Sequence, residues 1–170
     1  MKLYHGSIAI VNVPQILTPD PKRTVDFGRG FYTTTDLGQA SRWAKIRQNQ
    51  NQQSGFVSVF EAPDNLLQTP ELKILKFGSA SREWLDFVMQ NRNTPDFKHD
   101  YDLVAGPVAN DRVYTTLALY ESELLDVAET INRLKTCKLV NQVLFHSAKS
   151  LRYLTFVEAK DLPFIKAGGG

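Results

Sequence analysis

Short runs of apolar residues, alternating or continuous, recur along this chain and predict seven β-strands. They fall at residues 1–5, 31–34, 56–61, 72–77, 103–105, 140–146 and 153–158. The runs are rich in β-branched and aromatic residues and end at Gly, Pro, Asn or Asp. Helical spacing appears at 39–48, where Ala40, Trp43, Ala44 and the stem of Arg47 share a face. It recurs at 84–89 through the pairs Trp84/Val88 and Leu85/Met89, with Ser81 placed as an N-cap. A third helix, 127–135, aligns Ala128, Ile131 and Leu134 behind Asp126, with Glu129 three residues further on. Residues 115–120 predict a fourth, with Asn110 or Asp111 as its cap. Strands and helices follow without regular β-α alternation. That order favours α+β over a doubly wound parallel sheet.

The polar run Gln48-Asn49-Gln50-Asn51-Gln52-Gln53 lacks apolar periodicity and predicts a solvent loop after a helix. The chain has 170 residues, enough for one sizeable core, and two domains would be cramped. One domain is expected over 1–166, with 167–170 as a flexible glycine tail. No stretch approaches the roughly 20 apolar residues of a membrane span, and the opening MKLYHGS lacks the apolar core of a signal peptide. A single cysteine, Cys137, excludes an internal disulfide and fits a reducing compartment. The expectation is a cytoplasmic protein without a membrane partner. With only His5, His99 and His146 and no HExxH pattern, no metal is expected. Twenty basic against 18 acidic side chains leave +2, too little to drive nucleic-acid binding by charge alone. Locally the balance differs: Lys22, Arg23, Arg29, Arg42, Lys45 and Arg47 lie within 26 residues.

Familiar nucleophile and phosphate-loop motifs are absent, and Gly28-Arg29-Gly30 is too incomplete for a dinucleotide fingerprint. Three other segments place polar groups in or beside strands. In Leu3-Tyr4-His5-Gly6-Ser7, an imidazole and a hydroxyl flank a glycine that permits close approach of a ligand. A strand-end histidine bonded to a loop carbonyl is the simpler alternative. In Gly28-Arg29-Gly30-Phe31-Tyr32, two glycines allow a tight turn, and Phe31 and Tyr32 face opposite sides of the strand. One ring can fill the core while the other offers a flat surface, or both can be core. Arg29 either meets a diphosphate or is a solvated turn residue. In Val140-Asn141-Gln142-Val143-Leu144-Phe145-His146, Gln142 shares a face with Val140, Leu144 and His146. An unpaired buried amide costs about 1–3 kcal/mol, so Gln142 needs a side-chain or ligand partner. His146 could support it from the same face, while His99, between Lys98 and Asp100, reads as surface.

Taken in order, these segments resemble the catalytic domain of the poly(ADP-ribose) polymerases. Leu3-Tyr4-His5-Gly6-Ser7 with the later Ile16-Leu17 resembles L-W-H-G-S…I-L; Gly28-Arg29-Gly30-Phe31-Tyr32-Thr33-Thr34 resembles G-K-G-I-Y-F-A; Asn141-Gln142-Val143-Leu144-Phe145 resembles N-E-Y-I-V-Y. Over its length the chain is most similar to an uncharacterised bacterial family grouped with the ADP-ribosyltransferases. That family's D-x-V-x-G-P-V-A-N-D is matched at residues 102–111, and its Q-x-x-F-H-T-x-K-A-L at 142–151.

The resemblance implies a split two-sheet ADP-ribosyltransferase-like core with peripheral helices, its two antiparallel sheets facing each other across a cleft. It implies NAD as substrate, with the catalytic set His5, Tyr32 and Gln142. His5 would donate to the adenosine-side ribose or position the nicotinamide ribose. The Gly6 peptide would hold the carboxamide, with Ser7 alongside, and Tyr32 would stack on the nicotinamide. At the third motif the family has Glu, which bonds the ribose 2′-hydroxyl and stabilises positive charge; here it is Gln142. An amide accepts the hydroxyl but brings no charge, and one such contact is worth about 2.7–4 kcal/mol. Asp26, Asp111 or Glu121 could compensate. The substitution disfavours chain elongation and fits transfer of one ADP-ribose, NAD hydrolysis or inactivity. The expected function is therefore mono-ADP-ribosyl transfer to a protein or nucleic-acid acceptor, by analogy as a bacterial toxin with an antitoxin partner. Alternatives are a non-catalytic NAD or ADP-ribose binding module and a nuclease using His5 and His146.

Overall fold

The computed structural model describes residues 1–16, 25–94, 97–108, 111–135 and 140–164. In chain order the elements are β1 (Lys2–Ser7), β2 (Phe31–Thr34), α1 (Leu37–Asn51), β3 (Gly55–Glu61), β4 (Ile74–Lys76), α2 (Arg82–Asn93), β5 (Leu103–Val108), α3 (Asp111–Glu121), α4 (Val127–Lys135), β6 (Val140–Phe145), α5 (Ala148–Leu151) and β7 (Thr155–Leu162). A short 3-10 turn, Leu66–Gln68, follows β3. The fold is α+β. All seven expected strands form; the helix expected at 127–135 forms with those bounds, and the other three expected helices form with longer ones.

Caps set several helix starts. Ser81 Oγ accepts from Trp84 N at 3.3 Å, and Asp126 Oδ1 from Glu129 N at 2.8 Å, as their spacing predicts. Asp36 Oδ1 does the same for α1, accepting from Gln39 N at 2.6 Å. Asn110 lies outside the described residues, as do Lys22, Arg23 and Cys137.

The polar run after position 47 is helix for its first four residues, and only Gln52 and Gln53 leave it in a turn. Helix α1 continues to Asn51, and Gln52, in the left-handed region at φ 53°, ends it. Gln48 is buried and its Nε2 donates to Leu162 O at 2.7 Å, tying the helix to β7. A tertiary hydrogen bond here replaces the apolar periodicity that would have revealed the helix. The buried side of α1 comprises Gln39, Ala40, Ala44 and Gln48, with Trp43 only half-buried.

The strands form one seven-stranded sheet, ordered β4-β5-β6-β2-β1-β3-β7. Every neighbouring pair is antiparallel except β4 and β5, which are parallel. The two separate facing sheets expected from the resemblance are thus joined. The joint is narrow: β1 meets β2 at one residue pair, Tyr4 opposite Thr34. By contrast β1 pairs with β3 from Lys2 to Ser7, and β2 with β6 from Phe31 to Thr34. Continuing the β1–β2 register would set Gly6 opposite Tyr32, where the ladder has already stopped.

Register also assigns faces, because residues opposite each other project to the same side. One face carries Tyr4, Gly6, Tyr32, Thr34, Gln142 and Leu144; the other carries Leu3, His5, Phe31, Thr33, Val143 and Phe145. On the first, α1 packs Ala40 and Ala44 against Val57, while Trp84, Leu85, Leu117 and Leu134 of α2, α3 and α4 pack with Val104 and Leu144. On the second, Leu66 of the 3-10 turn and Leu151 of α5 join Leu3, Phe31, Phe60 and Phe145.

Candidate functional site

The lapse in pairing between β1 and β2 is where the sequence-predicted residues gather. Gly6 stands on one side, packed against the backbone of α1. Its carbonyl accepts from Arg47 Nη1 at 3.3 Å, so a ligand amide would share that oxygen. Across the lapse lies Tyr32, half-buried, its ring against the cluster of Phe27 and Leu144. The Tyr32 hydroxyl donates to Gly28 O at 2.6 Å and accepts from Phe27 N at 3.2 Å. Burial, with the nearby charge of Asp26, pushes its ionisation well above the usual tyrosine range. It is a neutral phenol that shapes the turn before β2.

That turn needs its glycines. Gly28 has φ 86° and Gly30 φ 148°, and a Cβ on Gly30 would stand 2.5 Å from Phe145 O. Between them Arg29 is exposed.

Two features define the setting of His5. It lies on the face opposite Tyr32 and Gln142, stacked on Phe31 with ring centroids 4.4 Å apart and planes 28° apart. It also bridges the lapse: Nδ1 meets Tyr32 O at 2.7 Å. Burial, with Arg47 adding repulsion, lowers its pKa to about 4, so the ring is neutral at pH 7. A carbonyl only accepts; Nδ1 therefore carries the proton and Nε2 is an acceptor. Nδ1 is thus committed to the Tyr32 carbonyl, which leaves Nε2 as the ring's other polar atom.

Unfolding releases this restraint, which gives a signed pH prediction. The unfolded chain takes up a proton on His5 below pH 6.5, while the folded chain resists down to about 4. The associated stability is complete above pH 6.5 and is lost as pH falls towards 4, by up to about 3 kcal/mol. Urea titrations from pH 7.5 to 4 are expected to show this loss. His5→Asn keeps an N–H for Tyr32 O and should flatten the curve; parallel curves would mean that His5 is not held neutral.

Gln142 is 2% exposed, opposite Thr34 on one side and Gly106 on the other. Its Nε2 is buried with no hydrogen-bond partner among the described residues. It shares the face of Tyr32, whose cross-strand partner Leu144 is two residues along β6. The structure brings these two to one side and leaves His5 on the other. Ser7 is buried, with Oγ accepting from Ala9 N at 3.1 Å, which folds the chain leaving β1. Among the carboxylates considered as compensation, Asp26 and Glu121 both engage Arg92, at 3.3 and 3.1 Å. Asp26 is the one whose charge reaches the Tyr32 phenol. The side chain of Asp111 lies outside the described residues.

Two contributors escaped the sequence reading. Arg92, nearly buried, joins the segment before β2 to α2 and α3. His99 is half-buried rather than surface, with Nε2 on Phe27 O at 2.9 Å and its ring 4.2 Å from that of His146. Its partner carbonyl lies 72 residues away, a distance at which no local pattern gives a signal. A cavity of about 340 Å³ lies elsewhere, between Gly78, Ala80, Pro107, Leu134 and Asn141, and none of the predicted site residues lines it. Among the described residues no group of three or more His, Cys, Asp or Glu is placed to hold a metal, and no helix is long and apolar enough to cross a membrane.

Comparison with known families finds a match to the family described as protein of unknown function (DUF3990), over residues 1–156. The chain belongs to that family. The family match runs from β1 into the first residues of β7, so it takes in every residue of the candidate site. No curated protein and no solved structure matches the chain.

Proposed function

We propose that the protein binds NAD at the lapse between β1 and β2, in a split ADP-ribosyltransferase-like core, and transfers a single ADP-ribose to a macromolecular acceptor. The observation that carries this reading is the buried Gln142 amide, whose Nε2, on the same face as Tyr32, has no partner among the described residues. A polar group kept so far from water without a partner is explained by a ligand that supplies one. The three motifs resembling the polymerases support it, each falling on a strand at the pinched centre of the sheet.

In the proposed reaction the bond between ribose C1′ and the nicotinamide nitrogen breaks, and its electron pair leaves with nicotinamide. The ribose carries the resulting positive charge until an acceptor nucleophile attacks C1′ and gives up its proton. Tyr32 offers a ring face to nicotinamide and Gln142 contacts the ribose from the same face, while His5, on the other face, positions Tyr32 through its carbonyl. Arg29 would meet the diphosphate. The acceptor is a protein or nucleic acid, and the biological setting that fits by analogy is a toxin held by an antitoxin.

Labelled NAD incubated with the protein and a cell lysate tests the proposal. Wild type is expected to label an acceptor, and Tyr32→Ala and His5→Ala to lose most of that signal while still folding by circular dichroism. Equal labelling by all three proteins, or none by any, would remove the proposed site. The uncharged Gln142 favours one second reading, a module that binds NAD or ADP-ribose without consuming it.

A further inference from the structure

Three successive carbonyls ahead of β2 each receive a hydrogen from a different side chain. Phe27 O accepts from His99 Nε2 at 2.9 Å, Gly28 O from the Tyr32 hydroxyl at 2.6 Å, and Arg29 O from His146 Nδ1 at 2.6 Å. The donors come from the segment before β5, from β2, and from the residue that follows β6. Since a carbonyl cannot donate, the neutral tautomers are fixed: His99 carries its proton on Nε2 and His146 on Nδ1. The two imidazoles lie against each other at 4.2 Å between centroids, and Phe87 and Tyr101 flank His99.

A turn with glycines at φ 86° and 148° has little stiffness of its own, because glycine samples these regions without preference. Its shape must come from outside. Tyr32 ties the middle carbonyl and the Phe27 N–H; the histidines hold the carbonyls on either side. The arrangement carries a cost that reveals its importance. His99 Nδ1 is buried with no partner among the described residues, an orphaned acceptor tolerated where Nε2 is placed on Phe27 O.

We propose that His99 and His146 are positioning residues of the candidate site: together they clamp the Phe27–Arg29 turn, so that Tyr32 and the Arg29 side chain are presented to an anionic ligand in one arrangement. Neither needs to touch that ligand. The clamp stands on the geometry above, and only its bearing on affinity rests on the NAD reading.

Amide variants separate the donor from the ring. His146→Asn sets an N–H where Nδ1 donates, and His99→Gln sets one where Nε2 donates, whereas His146→Leu and His99→Leu keep bulk without a donor. Two readouts apply: hydrogen exchange at the Phe27 amide, which donates to the Tyr32 hydroxyl within the turn, and NAD affinity by calorimetry. Each Leu variant is expected to speed exchange at the turn about three- to tenfold, as loss of one hydrogen bond implies, with the rest of the sheet unchanged. NAD affinity should fall by a similar factor, and Asn and Gln should restore both. Wild-type protection in the Leu variants, or no rescue by the amides, overturns the clamp. If exchange behaves as expected but wild type binds no NAD, the clamp is supported and the NAD reading fails.

Discussion

A Gly6→Ala chain is expected to lose the seating of α1 on β1 and to melt far below wild type. A Cβ at this position would stand 2.0 Å from Ala40 O, 2.9 Å from Ala40 C and 3.0 Å from Ala44 N. All three are helix backbone, so no side chain can swing aside. The helix is held at both ends, by Asp36 capping Gln39 N and by Gln48 bonded to Leu162 O. Making room means lifting α1 by more than an ångström, which opens the cluster of Ala40, Ala44 and Val57. Overpacking alone costs about 1–3 kcal/mol and the opened cluster adds to it. At about 2–4 °C per kcal/mol for a chain of this size, the expected fall is about 6–12 °C in Tm. Gly78→Ala is the control, since nothing lies within 4 Å of its added carbon. A Gly6→Ala melt matching that control would mean the helix seat is looser than described. The same contact bears on function. Loss of NAD binding in Gly6→Ala would follow from packing alone and would not by itself place a carboxamide on the Gly6 peptide.

Much of this architecture was legible before folding, and the failures share a cause. The strands read correctly because β-branched and aromatic runs mark themselves locally, and Ser81 and Asp126 are caps whose partners are three residues away. Gln48 misled because its reason for being helical is Leu162 O, 114 residues distant. His99 and Arg92 were invisible for the same reason, their partners being carbonyls and carboxylates brought in by the sheet order. The site was legible as a set of residues but not as an arrangement. Period-2 alternation places Tyr4 and Gly6 on one side and His5 on the other, yet only the Tyr4–Thr34 register relates those sides to Tyr32 and Gln142. Charge state was likewise out of reach. A histidine in the sequence carries no sign that burial will hold it neutral with Nε2 as an acceptor.

Gln142→Glu is the substitution expected to move activity most. In a site built as proposed, it aims a carboxylate at the ribose as C1′ becomes positive, and one such contact is worth about 10²–10³ in rate. Local hydrogen bonding loses little, since Nε2 has no partner among the described residues to give up. Charge burial is the opposing effect. With the residue 2% exposed, desolvation raises the new carboxyl's pKa above the ordinary value. A raised acid pKa makes folding less favourable as pH rises through it, so the variant should match wild type most closely near pH 5 and fall behind by pH 8. Bound NAD, with its positive nicotinamide ring, should narrow that gap. In wild type the carboxylate felt by Tyr32 is Asp26, already committed to Arg92, so it is poorly placed to substitute. Measured NAD consumption and affinity for the pair then discriminate the readings. Consumption by wild type, raised in the variant, supports a transferase that works slowly through an amide. Binding by both with consumption only by the variant assigns wild type to the binding module. If both bind and neither consumes, the site lacks more than a charge. If neither binds, the buried amide serves something other than NAD.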